Sequence, residues 1–328
     1  MKRILGIGNA LVDIMTLLQG EYILQEFNLP KGSMQLVDRE KSEGIKAATE
    51  IFPRTWTSGG SAANTIHGLA MLGADTGFIG SIGRDDIGDF FENEMKKAGT
   101  NTLLIRRNSP TGTAIALITD DSERTFATHL GAATELSEND LNPLLFEGYD
   151  ILYLEGYIIN NLPLVDTACN IAHSKNMLVA LDLASYNVVE EHIDSFRKIV
   201  TEYVDILFAN EQESFAFTGL EAEEAIPVLS QMSPTVILKV GAEGSWLAQG
   251  TEKVRVTAFP VNCVDTTGAG DLYAAGFLYA LANGLPLEQC GVAGSLMAGK
   301  VIEIVGARMD RNRFREIKNE LSEILSGN

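Results

Sequence analysis

Residues 264–276 read VDTTGAGDLYAAG: two glycines flank an alanine, then comes a carboxylate, Asp271, then a segment that stays almost wholly apolar to Gly284. A helix apolar on nearly every face must be buried. Its first amides have no partner within the helix and carry the positive end of its dipole. Gly268, Ala269 and Gly270 add no bulk that would keep an oxyanion from those amides. Asp271 then stands beside a site for negative charge, where a carboxylate can take the proton from a hydroxyl attacking a phosphoryl group. An Asp here also serves simply as a helix cap or a complement to the dipole. The stretch alone leaves both readings open.

On either side of this stretch, short β-rich runs alternate with helical patterns: RILGIG, GFIGSIG, DILYLEGY, MLVALDL, VDILFAN and TVILKVG. Near-continuous apolar strands separated by helices indicate a mainly parallel sheet covered on both faces, an α/β layer architecture. Chemistry in such sheets lies beyond the carboxyl ends of the strands. Two segments break the pattern. Residues 14–40 show no amphipathic helix until DREKSEGIKAATEI begins at Asp38, and TGTAIALITDDSERTFATHLG (111–131) reads as a hairpin turning at Asp120, Asp121 and Ser122. They form either a lid over the strand ends, which would exclude water, or a pair of surface ribbons.

The 328 residues suffice for one large α/β domain or two ordinary ones, and 45% hydrophobic with 21% charged residues is an ordinary globular balance. The formal charge of -19 repels nucleic-acid polymers and anionic lipid surfaces, while a small nucleotide can still bind where local groups outweigh the distant charge. Cys169, Cys263 and Cys290 are odd in number and in no metal spacing, as suits a reducing compartment. His67, His129, His173 and His192 match no metal pattern. Asn9 and Asp13 interrupt the apolar start of the chain and no cleavage site follows, so the start reads as a buried strand and not a signal peptide. No stretch is long enough for a membrane span. A cytoplasmic location is expected.

DTTGAGD (265–271) resembles the C-terminal signature of the ribokinase (PfkB) family of carbohydrate and nucleoside kinases. The resemblance implies a three-layer α/β/α sandwich with a small β-sheet lid, the large domain taking residues 1–13, 41–102 and 131–328 and the lid 14–40 and 103–130. It implies Asp271 as the base for the acceptor hydroxyl, and the amides of Gly268, Ala269 and Gly270 as the hole for the transferring phosphoryl group. ATP and magnesium are the implied cofactors. Potassium activation, and the choice between monomer and homodimer, are left open.

Companion stretches follow the family's order along nearly the whole chain. GIGNALVD (6–13) supplies Asn9 and Asp13 for sugar hydroxyls, a carboxylate being suited to a vicinal diol. Its Gly6 and Gly8 also hint at a dinucleotide fingerprint, but the third glycine would fall at Leu11. SGGSAANTIHGLAMLGA (58–74) resembles the family's N-terminal signature, which implies Gly59, Gly60, Ser61 and Asn64 as substrate-binding residues; a turn at the glycines with Ser61 as helix cap also explains the first three, but not Asn64. GRDDIGDFF (83–91) matches a loop of mainly structural role. LFANEQES (207–214) places Asn210 and Glu213 where the family organises magnesium through water, although the spacing also suits a capping box. ILKVGAEGSWLA (237–248) brings Lys239, Gly241 and Gly244 along the nucleotide, with Thr266 of the signature. Arg124 corresponds to a lid arginine that neutralises phosphoryl charge.

NLPKGSMQLVD, TGTAIALITDDSERTF and LGAATELS look more like the adenosine-kinase branch, where Tyr157 takes the place of an aromatic that stacks on the nucleobase; an aromatic at a strand end also packs into cores. The acceptor is thus a sugar or ribonucleoside. Two other classes compete, a Rossmann-type nicotinamide-dependent oxidoreductase and a catalytically silent sugar- or nucleoside-binding relative. The missing third glycine speaks against the first, and the retained Asp271 against the second.

Overall fold

The structure, a computed structural model, describes residues 1–121 and 123–326, so Ser122 of the expected hairpin turn lies outside the described residues. The described strands form two sheets. In spatial order the larger, nine-stranded sheet comprises Glu252–Val256, Ser245–Gln249, Thr235–Lys239, Ile206–Asn210, Leu178–Asp182, Ile151–Glu155, Ile4–Ile7, Thr76–Gly83 and Asn101–Arg107. Neighbours are parallel except for the two pairings made by Ser245–Gln249. The apolar runs dictate this arrangement, because a strand buried on both faces must be covered on both.

Alternation along each strand feeds two separate cores. Ile4 and Tyr153 point to one, with Leu69, Phe277, Met297 and Phe314 of the helices Ser61–Leu72, Ala269–Ala282, Leu287–Val301 and Arg311–Ser326. Leu5, Ile7, Leu152 and Leu154 point to the other, with Ala168, Phe196 and Ile226 of Leu162–Ser174, Ile193–Tyr203 and Ala222–Leu229. The result is a three-layer α/β/α sandwich. Ile4–Ile7 sits between Ile151–Glu155 and Thr76–Gly83, and the chain progresses outward from it in both directions. Such a reversal opens a crevice beyond the carboxyl ends of the strands.

The second, five-stranded sheet has the order Met34–Leu36, Arg124–His129, Gly112–Ile118, Leu11–Leu17 and Arg54–Gly59. The hairpin is present, with Gly112–Ile118 antiparallel to Arg124–His129. The strands do not follow the expected division of the chain. Asn101–Arg107 belongs to the large sheet, paired with Thr76–Gly83, while Arg54–Gly59 joins the small one by pairing with Leu11–Leu17. The charged and exposed positions of Arg54–Gly59 hid it from a search for apolar runs. Asp85 ties the two sheets together: it caps the helix Asp86–Ala98 through the Gly88 amide at 2.8 Å and accepts the Thr111 amide at 2.8 Å.

The buried helix Ala269–Ala282 packs closely on Leu287–Val301, and a Cβ added at Gly276 would stand 2.7 Å from the Ala293 carbonyl carbon. Alanine gains about 1 kcal/mol in helix propensity over glycine, whereas overpacking costs about 1–3 kcal/mol. Gly276→Ala is therefore expected to lower the urea midpoint; a raised midpoint contradicts the packing.

Candidate active site

Asp271 lies in the first turn of Ala269–Ala282, opposite the start of Ser61–Leu72. The Ser61 hydroxyl donates to its Oδ1 at 2.7 Å and the Asn64 amide nitrogen to its Oδ2 at 2.8 Å. Burial raises its pKa to about 6, against the hydrogen bonds from Asn64 and Ser61; the Asp182 charge also raises it, while Lys239 lowers it. Asn64 is buried, and its Oδ1 has no protein partner. A poor helix former is thus held by a carboxylate and keeps an acceptor for a hydroxyl.

Ser61 is not the helix cap expected from its position. The N-cap is Gly60, at φ 99°, without a side-chain cap bond. The Ser61 hydroxyl is engaged with Asp271, and a buried carboxylate, Glu155, accepts the Ala62 amide at 2.7 Å in its place. Glu155 ends the strand Ile151–Glu155 and also accepts the Asn9 backbone amide at 2.8 Å and the Asn9 side-chain amide at 2.6 Å. Burial pushes Glu155 up to about 7 against these bonds. A Cβ at Gly8 would lie 2.5 Å from its Oε2, so the Gly6-x-Gly8 turn is filled by a carboxylate where a dinucleotide fold would seat pyrophosphate.

Gly268 adopts φ 76° at the start of the signature helix. The Ala269 amide is used in a turn bond to the Thr266 carbonyl at 3.1 Å, whereas those of Gly268, Gly270 and Asp271 have no hydrogen bond among the described residues. Lys239 reaches this helix start: its Nζ would lie 3.2 Å from a Cβ on Gly270. It pairs at 2.8 Å with Asp182, a buried carboxylate. Burial opposes the Lys239 charge, yet Asp182 and Glu213 hold its pKa above the ordinary lysine value. The same region opens onto a cavity of about 760 Å³ lined by Asn210, Lys239, Gly241, Gly244, Thr266 and Gly270. The ATP residues expected from the sequence converge here except Glu213, which is buried; Glu211 and Gln212 stand on the wall instead.

Glu213 and Asn210 realise the capping-box alternative. The Glu213 carboxylate accepts the Asn210 amide at 2.8 Å and its side-chain nitrogen at 2.6 Å, while Asn210 Oδ1 accepts the Glu213 amide at 2.9 Å. Burial raises Glu213 and the Lys239 charge opposes the rise. Among the described residues no group of three or more His, Cys, Asp or Glu could hold a metal, and no helix is long and apolar enough to cross a membrane.

The second sheet contributes two charged groups. Arg124 forms an ion pair with Asp265 of the signature, which also accepts the Thr267 amide at 3.0 Å and the Gly306 amide at 2.6 Å. Burial would raise Asp265, but Arg124 and these bonds hold it below the usual carboxylate range. Asp13, on Leu11–Leu17, accepts no hydrogen bond among the described residues. Burial pushes it up to about 6, Arg308 lowers it and Asp271 raises it. Gly59 leaves it room, since a Cβ there would lie 2.6 Å from Asp13 Oδ2. Tyr157 follows the strand that Glu155 ends and is 37% exposed, so it is not core packing; its hydroxyl donates to the Ala184 carbonyl at 3.4 Å.

Three residues of this neighbourhood, Glu155, Asp182 and Arg308, are absent from the sequence-based site. Glu155 and Asp182 end apolar strands, a signal that the rule of looking beyond strand ends can use. Arg308 sits in a loop with no motif of its own. Glu155→Ala leaves three donors without their acceptor, each costing about 1–3 kcal/mol when buried. It is expected to destabilise the fold by about 3 kcal/mol or more in urea melts, and a loss below about 1 kcal/mol contradicts the clasp.

Comparison with known proteins identifies the family. The model of the pfkB family carbohydrate kinase matches residues 36–312. An adenosine kinase of Saccharomyces cerevisiae is 29% identical over 326 residues, covering 92% of this chain and 94% of the relative. Among solved structures, adenosine kinase from Sinorhizobium meliloti is 32% identical with a TM-score of 0.87, covering 97% of this chain and 99% of that one. A probable sugar kinase from Rhizobium etli is 30% identical at the same TM-score, covering 97% and 98%. These matches set aside the Rossmann oxidoreductase alternative. The chain belongs to the PfkB family of carbohydrate and nucleoside kinases.

Proposed function

We propose that this kinase transfers the γ-phosphoryl group of ATP to a hydroxyl of a ribonucleoside or sugar, with adenosine the first acceptor to test. The observation that carries the reading is the Asp271 carboxylate, held by Ser61 and Asn64 at the start of a helix where the Gly268, Gly270 and Asp271 amides have no hydrogen bond among the described residues. A carboxylate fixed by two donors keeps its remaining lone pairs for the acceptor hydroxyl. With a pKa near 6 it is ionised at neutral pH yet more basic than an ordinary Asp, as general-base work requires.

The unpartnered Asp13 carboxylate and the Asn64 Oδ1 are the acceptors that would orient substrate hydroxyls. Tyr157, partly exposed just after the strand end, suits a flat base. Lys239 and the free amides supply donors for phosphate oxygens, and Arg124, held by Asp265, adds positive charge from the second sheet acting as a lid. Magnesium would neutralise phosphate charge, and Asn210, Glu211 and Gln212 are the polar residues on the cavity wall that could hold its waters. The names of the yeast and Sinorhizobium relatives favour adenosine within this acceptor class.

A coupled ADP assay across adenosine, inosine, ribose and fructose tests the reading. Acceptor-dependent ADP is expected, and Asp271→Asn should lower kcat by roughly 10²–10⁴-fold, the usual contribution of a general base. Undiminished turnover by Asp271→Asn overturns the assigned base, and the absence of acceptor-dependent ADP overturns the kinase assignment for these acceptors.

A further inference from the structure

Arg308 is the charged group near the acceptor side that no step above uses. Its Nε donates to the Ser58 carbonyl at 2.7 Å, which pins the side chain to the strand Arg54–Gly59 of the second sheet. The other guanidinium nitrogens, Nη1 and Nη2, are shielded from solvent and have no protein partner. The next residue on that strand, Gly59, lies against the Asp13 carboxylate, itself without a hydrogen bond. Arg308 and Asp13 are thus anchored at consecutive positions of one strand. They feel each other's charge but make neither a hydrogen bond nor an ion pair among the described residues. Asp271, Glu94 and His67 complete the titratable surroundings, with burial and then the Arg308 charge keeping His67 neutral. Burial lowers Arg308 to about 10, so it stays charged at neutral pH.

A buried arginine with two nitrogens unsatisfied is costly unless something completes its bonds. Direct closure onto Asp13 would consume both partners, yet the fold holds them apart. A hydroxyl can satisfy both at once, because it donates through hydrogen and accepts through oxygen. Resting on the reading of this crevice as the acceptor site, the geometry points to Arg308 as a specificity-determining residue. Its Nη groups donate to the oxygens of a vicinal diol whose hydroxyl hydrogens go to Asp13, so the site selects acceptors that carry both oxygens. Arg308 assists no proton transfer; it fixes which polyol is seated.

The test compares wild type, Arg308→Met and Arg308→Lys with adenosine, 2′-deoxyadenosine, 3′-deoxyadenosine, ribose and fructose, by coupled ADP assay and thermal melts. Wild type is expected to lose about 10-fold or more in kcat/KM when one diol oxygen is absent, the scale of a hydrogen bond to a charged group. Arg308→Met should raise the KM of the diol acceptor by about 10-fold or more, change kcat and the KM of ATP little, and shrink the deoxy penalty. Arg308→Lys keeps a charge and a donor and should recover part of the discrimination, which also serves if the Met variant fails to fold. A deoxy penalty unchanged in both variants, with only the melting temperature lowered, shows a purely structural role and overturns the proposal. A wild type inert towards all these acceptors overturns the kinase reading of the site, and the proposal with it.

Discussion

The hydrogen bonds that Ser61 and Asn64 give to Asp271 join residues more than two hundred positions apart, and the site depends on them. They dock the start of Ser61–Leu72 against the start of Ala269–Ala282, the two helices whose termini frame the crevice. A carboxylate at this depth would otherwise take up a proton and cease to be a base, since burial alone favours the neutral form. Two donors oppose that tendency and leave a carboxylate poised near neutrality, as the proposed base requires. Glu155 plays the complementary part, gathering the amides of Asn9 and Ala62 so that the first strand and the same helix are locked before any ligand arrives.

Charge is distributed locally against the trend of the whole chain. The protein is strongly acidic, yet Lys239 and Arg124 stand at the crevice, each paired with a carboxylate, and Arg308 stands near Asp13 without pairing to it. Such pairing fixes positive charge in a poorly hydrated place, where isolated cations would be expensive. The carboxylates Asp13, Glu155 and Asp271 lie close enough for each to feel Asp271 or to be its neighbour, and all three have raised pKa values. Raised carboxylate pKa values gathered in one crevice suit the proposed role of Asp271.

Much of the fold was legible because buried parallel strands must be apolar and the helices between them must carry the period that covers them. The small sheet was half legible: its hairpin announced itself by alternation and a polar turn, while Arg54–Gly59, with Arg54, Thr55 and Thr57 among its residues, carries no apolar run. Within the site, the signature singles out Asp271 and the glycines because the proposed anion binding needs bare amides. It did not report that the Ala269 amide is spent on Thr266, which depends on how the turn closes. Ser61 illustrates the same limit, since whether a serine caps its own helix or holds a distant carboxylate is decided by what stands opposite. Asp182 and Glu155 went unread although they are strand-end carboxylates, and their partners, Lys239 and Asn9, are set by topology. Arg308 left no local trace at all.

The most direct test of the central claim is the pH dependence of phosphoryl transfer in a single turnover, compared between wild type and Asn64→Ala with adenosine as acceptor. A general base must be ionised, so the rate should rise with pH through about 6 and level off above it. Removing the Asn64 donor removes an interaction that favours the carboxylate, so the variant's acid limb should move to higher pH, while its plateau falls because the Oδ1 proposed to seat a substrate hydroxyl is lost as well. A limb that stays where it is in the variant, or a wild-type rate indifferent to pH between 5 and 8, would contradict the account of Asp271 as a base held in tune by its neighbours.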